Sequence, residues 1–452
     1  MVGIGGAGMS GIAKVLNDIG IKVSGSDLRG TQVTRRLKES GIIVYEGHAA
    51  ANLHPEVELV VISSAIPQNN PEVEAARHMG IPVIKRGAML ARLLNQCRGI
   101  AIAGAHGKTT TTSMISLMLE QNHLDPTFII GGELQGTHLS AKLGKGDYLV
   151  AEADESDASF LELNPYIAVV TNVEDDHLDF YKSVDKIRAA FRQFIGQVRE
   201  DGFAVLYSRD RCMAGLRNTS STRLIYYGDS EADDYCYKDI RPDGVGSLFK
   251  VYCRGRLLGE IQLRVPGVHN VLNALAAVAV GNEMGLQFDG IRESLLQFTG
   301  AKRRFEVVGR LNGITVVDDY AHHPTEITAT IGAARQFHKN RLIVIFQPHR
   351  YTRTSLLGDQ FGKAFQGSDV VVITDIYAAG EEPIPGITGE IIYQAVIAGG
   401  GNAVYIPCKD DVVEYITKVV GSNDLIITMG AGDIWQTGTR LVEELNKIVP
   451  QA

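Results

Sequence analysis

The chain has 452 residues, 45% of them hydrophobic and 21% charged, a balance that excludes a disordered or fibrous protein and suggests two to four domains. With 44 basic and 52 acidic residues the net charge is −8, so there is no basic footprint for nucleic acid. No apolar run reaches membrane-span length, the start MVGIGGAGMSGIA lacks the charged region of a signal peptide, and five scattered cysteines (Cys97, Cys212, Cys236, Cys253, Cys408) predict reduced thiols and a cytoplasmic location.

Gly3-Ile4-Gly5-Gly6-Ala7-Gly8 fits G-x-G-x-x-G and opens a helix predicted from Met9 to Ile19. Asp27 follows Gly8 by 19 residues, the spacing of a carboxylate that meets a ribose hydroxyl. The pattern suits NAD or another nucleotide diphosphate, and also a plain glycine turn that packs helix on strand. Only Met1 and Val2 precede Gly3, so the first strand is nearly missing and the natural chain is expected to start earlier. Strands are predicted at Ile42–Tyr45, Leu59–Ser63 and Pro82–Ile84. Ser63 and Ser64 stand at a strand end, where open sheets bind ligands, or form an ordinary polar loop. Ala88–Leu94 reads as a helix and Asn95–Arg98 as a linker.

The apolar run Gly99–Ala103 predicts a buried parallel strand. Gly104-Ala105-His106-Gly107-Lys108-Thr109-Thr110-Thr111-Thr112 follows, and Ser113–Glu120 reads as a mostly buried helix. Strand, glycine turn and helix are what a phosphate-binding loop needs: backbone N–H groups and a helix N-terminus facing an anion. Lys108 would reach the β- and γ-phosphates and the Thr109 hydroxyl would ligate Mg²⁺. The loop is a short variant, because Ile102 stands where the general pattern has its first glycine.

The strand Asp147–Ala151 runs into Glu152, Asp154, Glu155 and Asp157, a candidate Mg²⁺ site. A solvated acidic turn explains the last three as well, and explains Glu152 less well because it directly follows the strand. After Ile167–Val170 comes His177 among carboxylates, either a metal ligand or a capped surface residue. Residues 203–265 hold short alternating runs that predict β-structure flanking the core sheet, and Pro266–Asn270 starts a helix. From Ile314 a further strand–helix alternation predicts a doubly wound parallel sheet, with strands at Ile314–Val317, Leu342–Phe346, Val370–Thr374, Ala403–Ile406 and Leu425–Met429. Polar clusters fall at its strand ends, among them Asp319, His322, Arg350 and Arg353. The two arginines either cap helices or bind phosphate and carboxylate.

Taken together, GIGGAGMSGIA, SGSD, GAHGKTTTT, EADESDASF, TNVEDDHLDFY, PGVHNVLNALAA, RRFEVVG, DDYAHHPTEI, FQPHRYTRT and MGAGDIW resemble, in this order, the motifs of the Mur ligases of bacterial cell-wall synthesis. The resemblance covers the whole chain. It implies an α/β fold of three domains: a Rossmann-like UDP-substrate domain over 1–97, a central ATPase domain over 98–301 with a parallel sheet and a smaller β-region, and a Rossmann-like C-terminal domain over 302–452. It implies ATP and two Mg²⁺ ions, UDP-N-acetylmuramate and L-alanine as small-molecule partners, no nucleic acid, and a monomer or homodimer.

By the same resemblance, Gly104, Ala105, His106, Gly107, Lys108, Thr109 and Thr110 hold ATP, with His269, Asn270, Asn273, Arg304 and Asp319 beside it. Thr109 and Glu152 hold one Mg²⁺, and Glu152 and His177 a second. His322, Arg350 and Arg353 line the acyl-phosphate and amino-acid pocket. Gly5, Gly6, Ala7, Gly8, Met9, Asp27, Ser63 and Ser64 hold the UDP part. Sister ligases carry a carbamoylated lysine at a position that here aligns with Phe191. An NAD-dependent oxidoreductase would leave the phosphate loop unexplained, and a nucleotide switch would leave the C-terminal clusters idle. A recycling ligase that adds a peptide to UDP-N-acetylmuramate is the nearer rival.

Overall fold

The structure, a computed structural model, describes residues 1–133, 135, 139–174, 178–217 and 220–448. The chain forms two units: Met1–Ile240 with Phe249–Gln262 and Val271–Phe298, and Arg241–Leu248 with Leu263–Asn270 and Thr299–Ala452.

In the first unit, Val2 stands between two strand pairs. It makes parallel bridges to both Ser26 and Ile62, and so joins the strand pair Ser24–Asp27 and Ile43–Glu46 to the pair Val60–Ile62 and Val83–Lys85. The helix Ala7–Ile19 buries Met9, Ile12, Val15 and Leu16. These pack in one core with Leu90 and Leu94 of the helix Arg86–Leu94 and with Ile129 and Ala141 from further along the chain. The predicted linker is correspondingly short. Arg98 already starts the strand Arg98–Ala103, and the Asn95 side chain accepts the Asn164 N–H at 2.8 Å.

Five parallel strands lie in the order Phe203–Tyr207, Ile167–Val170, Arg98–Ala103, Tyr148–Glu152 and Thr127–Ile129. Ile100, Ala101, Ile102 and Ala103 are all fully buried, as a strand covered on both faces requires. Among the described residues this sheet has ten strands. The segment from Phe203 onward extends the core sheet along one side. Its strand Tyr235–Asp243 escaped the sequence reading because Lys238, Asp239, Arg241, Pro242 and Asp243 break the apolar alternation. Ser183 caps the helix Val184–Gly196, whose Phe191 and Phe194 meet Phe160 at ring-centroid distances of 5.2 and 5.0 Å.

In the second unit the described strands run in the order Glu306–Leu311, Ile314–Asp319, Leu425–Met429, Leu342–Phe346, Val370–Ile373 and Ala403–Tyr405. All pair in parallel except the first, which is antiparallel with an irregular register between Val307 and Gly309. The sheet is thus mixed where the sequence reading expected it parallel. Val344 and Phe346 face one core and Ile343 and Ile345 the other, the two-sided burial of a doubly wound sheet. Pro324 opens the helix Pro324–Phe337, with the buried His323 as its cap and Glu326 reaching back to complete a capping box.

Phe191 is 1% exposed within the first core. Phe191→Ala should lower unfolding stability by about 3–5 kcal/mol, read as a lower denaturation midpoint in urea at unchanged slope.

Candidate functional site

The phosphate loop leaves the C-terminal end of the central strand and enters the helix Lys108–Gln121. Gly104 and Gly107 have φ of 136° and 84°, values that side-chain-bearing residues avoid. Close neighbours hold the turn. A Cβ on Gly104 would collide with the Thr171 hydroxyl, and one on Gly107 would fall 2.6 Å from Asn273 Oδ1. Thr171 donates its hydroxyl to the His106 carbonyl at 2.5 Å, and the His106 N–H donates to Asn172 Oδ1 at 2.9 Å. Thr110 is buried, and the Thr111 hydroxyl donates to Asn273 Oδ1 at 3.2 Å.

Lys108 Nζ donates to the Gly104 carbonyl at 2.5 Å and to Glu155 Oε1 at 2.6 Å. Burial works against this ammonium, but Glu155, with Asp154 and Glu152 behind it, outweighs burial and holds its pKa above the ordinary lysine value. Glu155 is itself 3% exposed, so the solvated-turn reading fails for it. Asp154 pairs with Arg86. Burial pushes the Asp154 carboxyl upward, yet Arg86, Ser156 and Lys108 bring it below the usual range.

Glu152 ends its strand and accepts the Gly131 N–H on Oε1 at 2.6 Å. A Cβ on Gly132 would lie 3.2 Å from the Thr109 methyl, so Thr109 and Glu152 both border the Gly131–Gly132 backbone. A hydroxyl and a carboxylate beside a phosphate loop are the hard oxygen donors that Mg²⁺ takes, and the pair fits that ion. His177 lies outside the described residues.

At the first glycine turn, Asp27 Oδ2 accepts the Gly5 N–H at 2.8 Å, so this carboxylate first of all fixes the loop. Gly6 and Ala7 are exposed, Gly8 lies against Arg86, and at their strand end Ser63 is half-buried and Ser64 exposed. Met9 is buried in the core and offers a ligand only its backbone.

His269 and Asn270 stand on the first turn of the helix Val268–Glu283. His269 is exposed, and the buried Asn270 donates its amide to the Pro266 carbonyl at 2.7 Å.

The second unit gathers its predicted residues at the strand ends. Arg303, which the sequence reading placed in a motif without a role, is a staple: it donates to Asp318 at 2.8 Å, to the Gly432 carbonyl at 2.9 Å and to the Gly430 carbonyl at 2.6 Å. Its neighbour Arg304 lies over the Tyr320 ring and 3.7 Å from Glu326. Asp319 accepts the N–H groups of Ala321 and Phe305, both at 2.8 Å. Burial nonetheless dominates and raises its pKa to about 6, with Arg304 pulling the other way. His322 Nδ1 lies 3.2 Å from Glu326, and its ring meets that of His349 at 5.6 Å. His349 in turn stands 3.1 Å from Arg353. Arg86 lay outside every motif, Glu155 was read as one of four candidate Mg²⁺ carboxylates, and Asn172, Arg303, Glu326 and His349 stood inside motifs without a role of their own.

The Asp319 shift has a defined sign. A carboxyl whose pKa is raised by folding favours the folded state fully below its unfolded value near 3.8, and this contribution is lost as pH rises to about 6. Asp319→Asn should therefore abolish a fall of up to about 3 kcal/mol in stability across that window, seen as the difference between wild-type and variant melting profiles against pH.

Three family models match successive stretches: "Mur ligase family, catalytic domain" over residues 1–98, "Mur ligase middle domain" over 102–281 and "Mur ligase, glutamate ligase domain" over 303–432. The chain is 55% identical over 452 residues to the UDP-N-acetylmuramate–L-alanine ligase of Syntrophomonas wolfei subsp. wolfei, covering 99% of this chain and 97% of that protein. Among solved structures it is similar to a UDP-N-acetylmuramate–alanine ligase from Thermotoga maritima, with a TM-score of 0.86 and 31% identity over 99% and 98% of the two chains. A murein peptide ligase from Psychrobacter arcticus matches with a TM-score of 0.73 and 27% identity over 100% and 99%. With its phosphate loop, acidic strand end and doubly wound second unit, the chain belongs to the Mur ligase family.

Proposed function

We propose that this protein joins L-alanine to the carboxylate of UDP-N-acetylmuramate through an acyl phosphate, releasing ADP and phosphate, in the cytoplasmic assembly of peptidoglycan precursors. The observation that carries the reading is Lys108, a paired ammonium held on a positive-φ glycine loop at a strand end, in a chain 55% identical to a ligase of that name. The peptide-adding alternative is less favoured, because the murein peptide ligase is the more distant of the two solved structures in both identity and TM-score.

The chemistry divides among the residues. A carboxylate is a poor electrophile, and phosphorylation gives it a leaving group that the alanine amine can displace. The loop from Gly104 to Thr110 binds the ATP phosphates, and Lys108 exchanges Glu155 for them. Thr109 and Glu152 would hold Mg²⁺, which supplies charge neutralisation on the phosphates. His269, Asn270, Asn273, Arg304 and Asp319 flank the nucleotide. His322, Arg350 and Arg353 receive the acyl phosphate and the amino acid, and the Gly5–Met9 turn with Asp27, Ser63 and Ser64 receives the UDP group. The reaction needs alignment and exclusion of water more than a covalent catalyst.

The proposed domains are 1–97, 98–301 and 302–452, supported by the spans of the three family models. We place the protein in the cytoplasm, as a monomer or homodimer. No described helix is long and apolar enough to cross a membrane.

A coupled assay tests the reading. Phosphate release from ATP is expected only with UDP-N-acetylmuramate and L-alanine together; a requirement for a peptide in place of alanine would show the rival to be right. Arg353→Lys keeps the charge but loses the planar fork. It should lower alanine-dependent turnover and leave the KM for the UDP-sugar nearly unchanged; a pure UDP-sugar binding defect would place Arg353 elsewhere. Phe191 is buried among aromatic rings, while Lys182 and Lys186 are exposed. Bicarbonate should therefore not stimulate CO₂-stripped enzyme, and a carbamate mass increment on either lysine would contradict this.

A further inference from the structure

In the second unit, one residue outside the arginine motif holds both of its arginines. The Tyr377 ring stacks on His349 at 11° between planes, with centroids 5.9 Å apart. His349 Nδ1 lies 3.1 Å from a terminal nitrogen of Arg353. A guanidinium has donors only, so this Nδ1 is the acceptor and the ring is the neutral tautomer protonated at Nε2.

The backbone repeats the arrangement. The Tyr377 N–H donates to the Pro348 carbonyl at 2.8 Å, and the Tyr377 carbonyl accepts the Arg350 N–H at 2.9 Å. Arg350 is thereby held at φ 69°, ψ 138°, a conformation that non-glycine residues avoid and that persists where its surroundings over-determine it. The buried Thr354 secures the other side, donating its N–H and hydroxyl to the Arg350 carbonyl at 3.2 and 3.0 Å. Arg350 Nε is buried, with no hydrogen-bond partner among the described residues. Gly432 makes room for the tyrosine, since a Cβ there would fall 2.5 Å from Tyr377 Cγ.

We propose that Tyr377 and His349 are positioning residues, a clamp that aims Arg350 and Arg353 at the carboxylate of the incoming amino acid and so sets the affinity for that substrate alone. The inference rests on the alanine-ligase reading above. By occupying one donor of the Arg353 fork, His349 fixes its plane, and a planar fork recognises a carboxylate only in the right plane.

His349→Phe keeps the stacked ring and removes the acceptor, whereas His349→Asn keeps an acceptor near Nδ1. The phenylalanine variant should raise the KM for L-alanine about tenfold, the scale of one hydrogen bond to a charged group, with the KM values for ATP and the UDP-sugar and the melting temperature unchanged. The asparagine variant should recover most of the loss. An unchanged alanine KM in the phenylalanine variant, or all three KM values rising together, would overturn the clamp. A wild-type protein without alanine-dependent turnover would overturn the functional reading instead. Crystal structures of wild type and His349→Phe then decide the clamp by themselves: a displaced Arg353 guanidinium supports it and an unmoved one refutes it.

Discussion

A largely buried ammonium at the start of a helix is in the wrong place twice. Burial removes its hydration, and the N-terminal end of the helix dipole is positive. Lys108 begins the helix Lys108–Gln121, and it remains charged because Glu155 meets it at 2.6 Å with Asp154 and Glu152 nearby. Such a group calls for an anion. Glu155 serves in the resting protein, and a polyphosphate would do so more fully, since the loop N–H groups and the helix end add to its attraction. Much of the first unit follows from this one requirement: the strand that delivers Glu152, the turn that buries Glu155, and the Thr171–Asn172 pair that keeps the loop open.

The second unit meets the same difficulty with the opposite sign. Asp319 is buried at a strand end, and two backbone N–H groups only partly offset the loss of water. Arg303 and Arg304 stand at the entrance to this sheet, the first pinned to Asp318 and two glycine carbonyls, the second left beside Tyr320 and Glu326.

Much of this was legible in the residues. Strands buried on both faces announce themselves as apolar runs, so Arg98–Ala103, Ile167–Val170 and Leu342–Phe346 lay where expected. Glu306–Leu311 and Tyr235–Asp243 were hidden because edge and surface strands carry charge and lose alternation. The placement of Lys108 after a glycine turn and of Glu152 at a strand end was readable, because apolar runs mark the strands that lead to both. Glu155 was not, because sequence shows an acidic cluster without showing which member points inward. Asp27 illustrates the converse: its spacing suggested a ribose partner, and the fold first spends one oxygen on the Gly5 N–H. Tyr377 and His349 meet only through tertiary contact, which no local pattern records.

The most direct measurement compares wild type and Lys108→Ala for ATP binding by calorimetry and for turnover, with melting curves alongside. The variant is expected to stay folded, to bind ATP far more weakly and to lose several kcal/mol of transition-state stabilisation, of the order of a thousandfold or more in rate. A variant that melts like wild type and keeps most of its ATP affinity and activity would contradict the assignment of the Gly104–Thr110 loop as the ATP site.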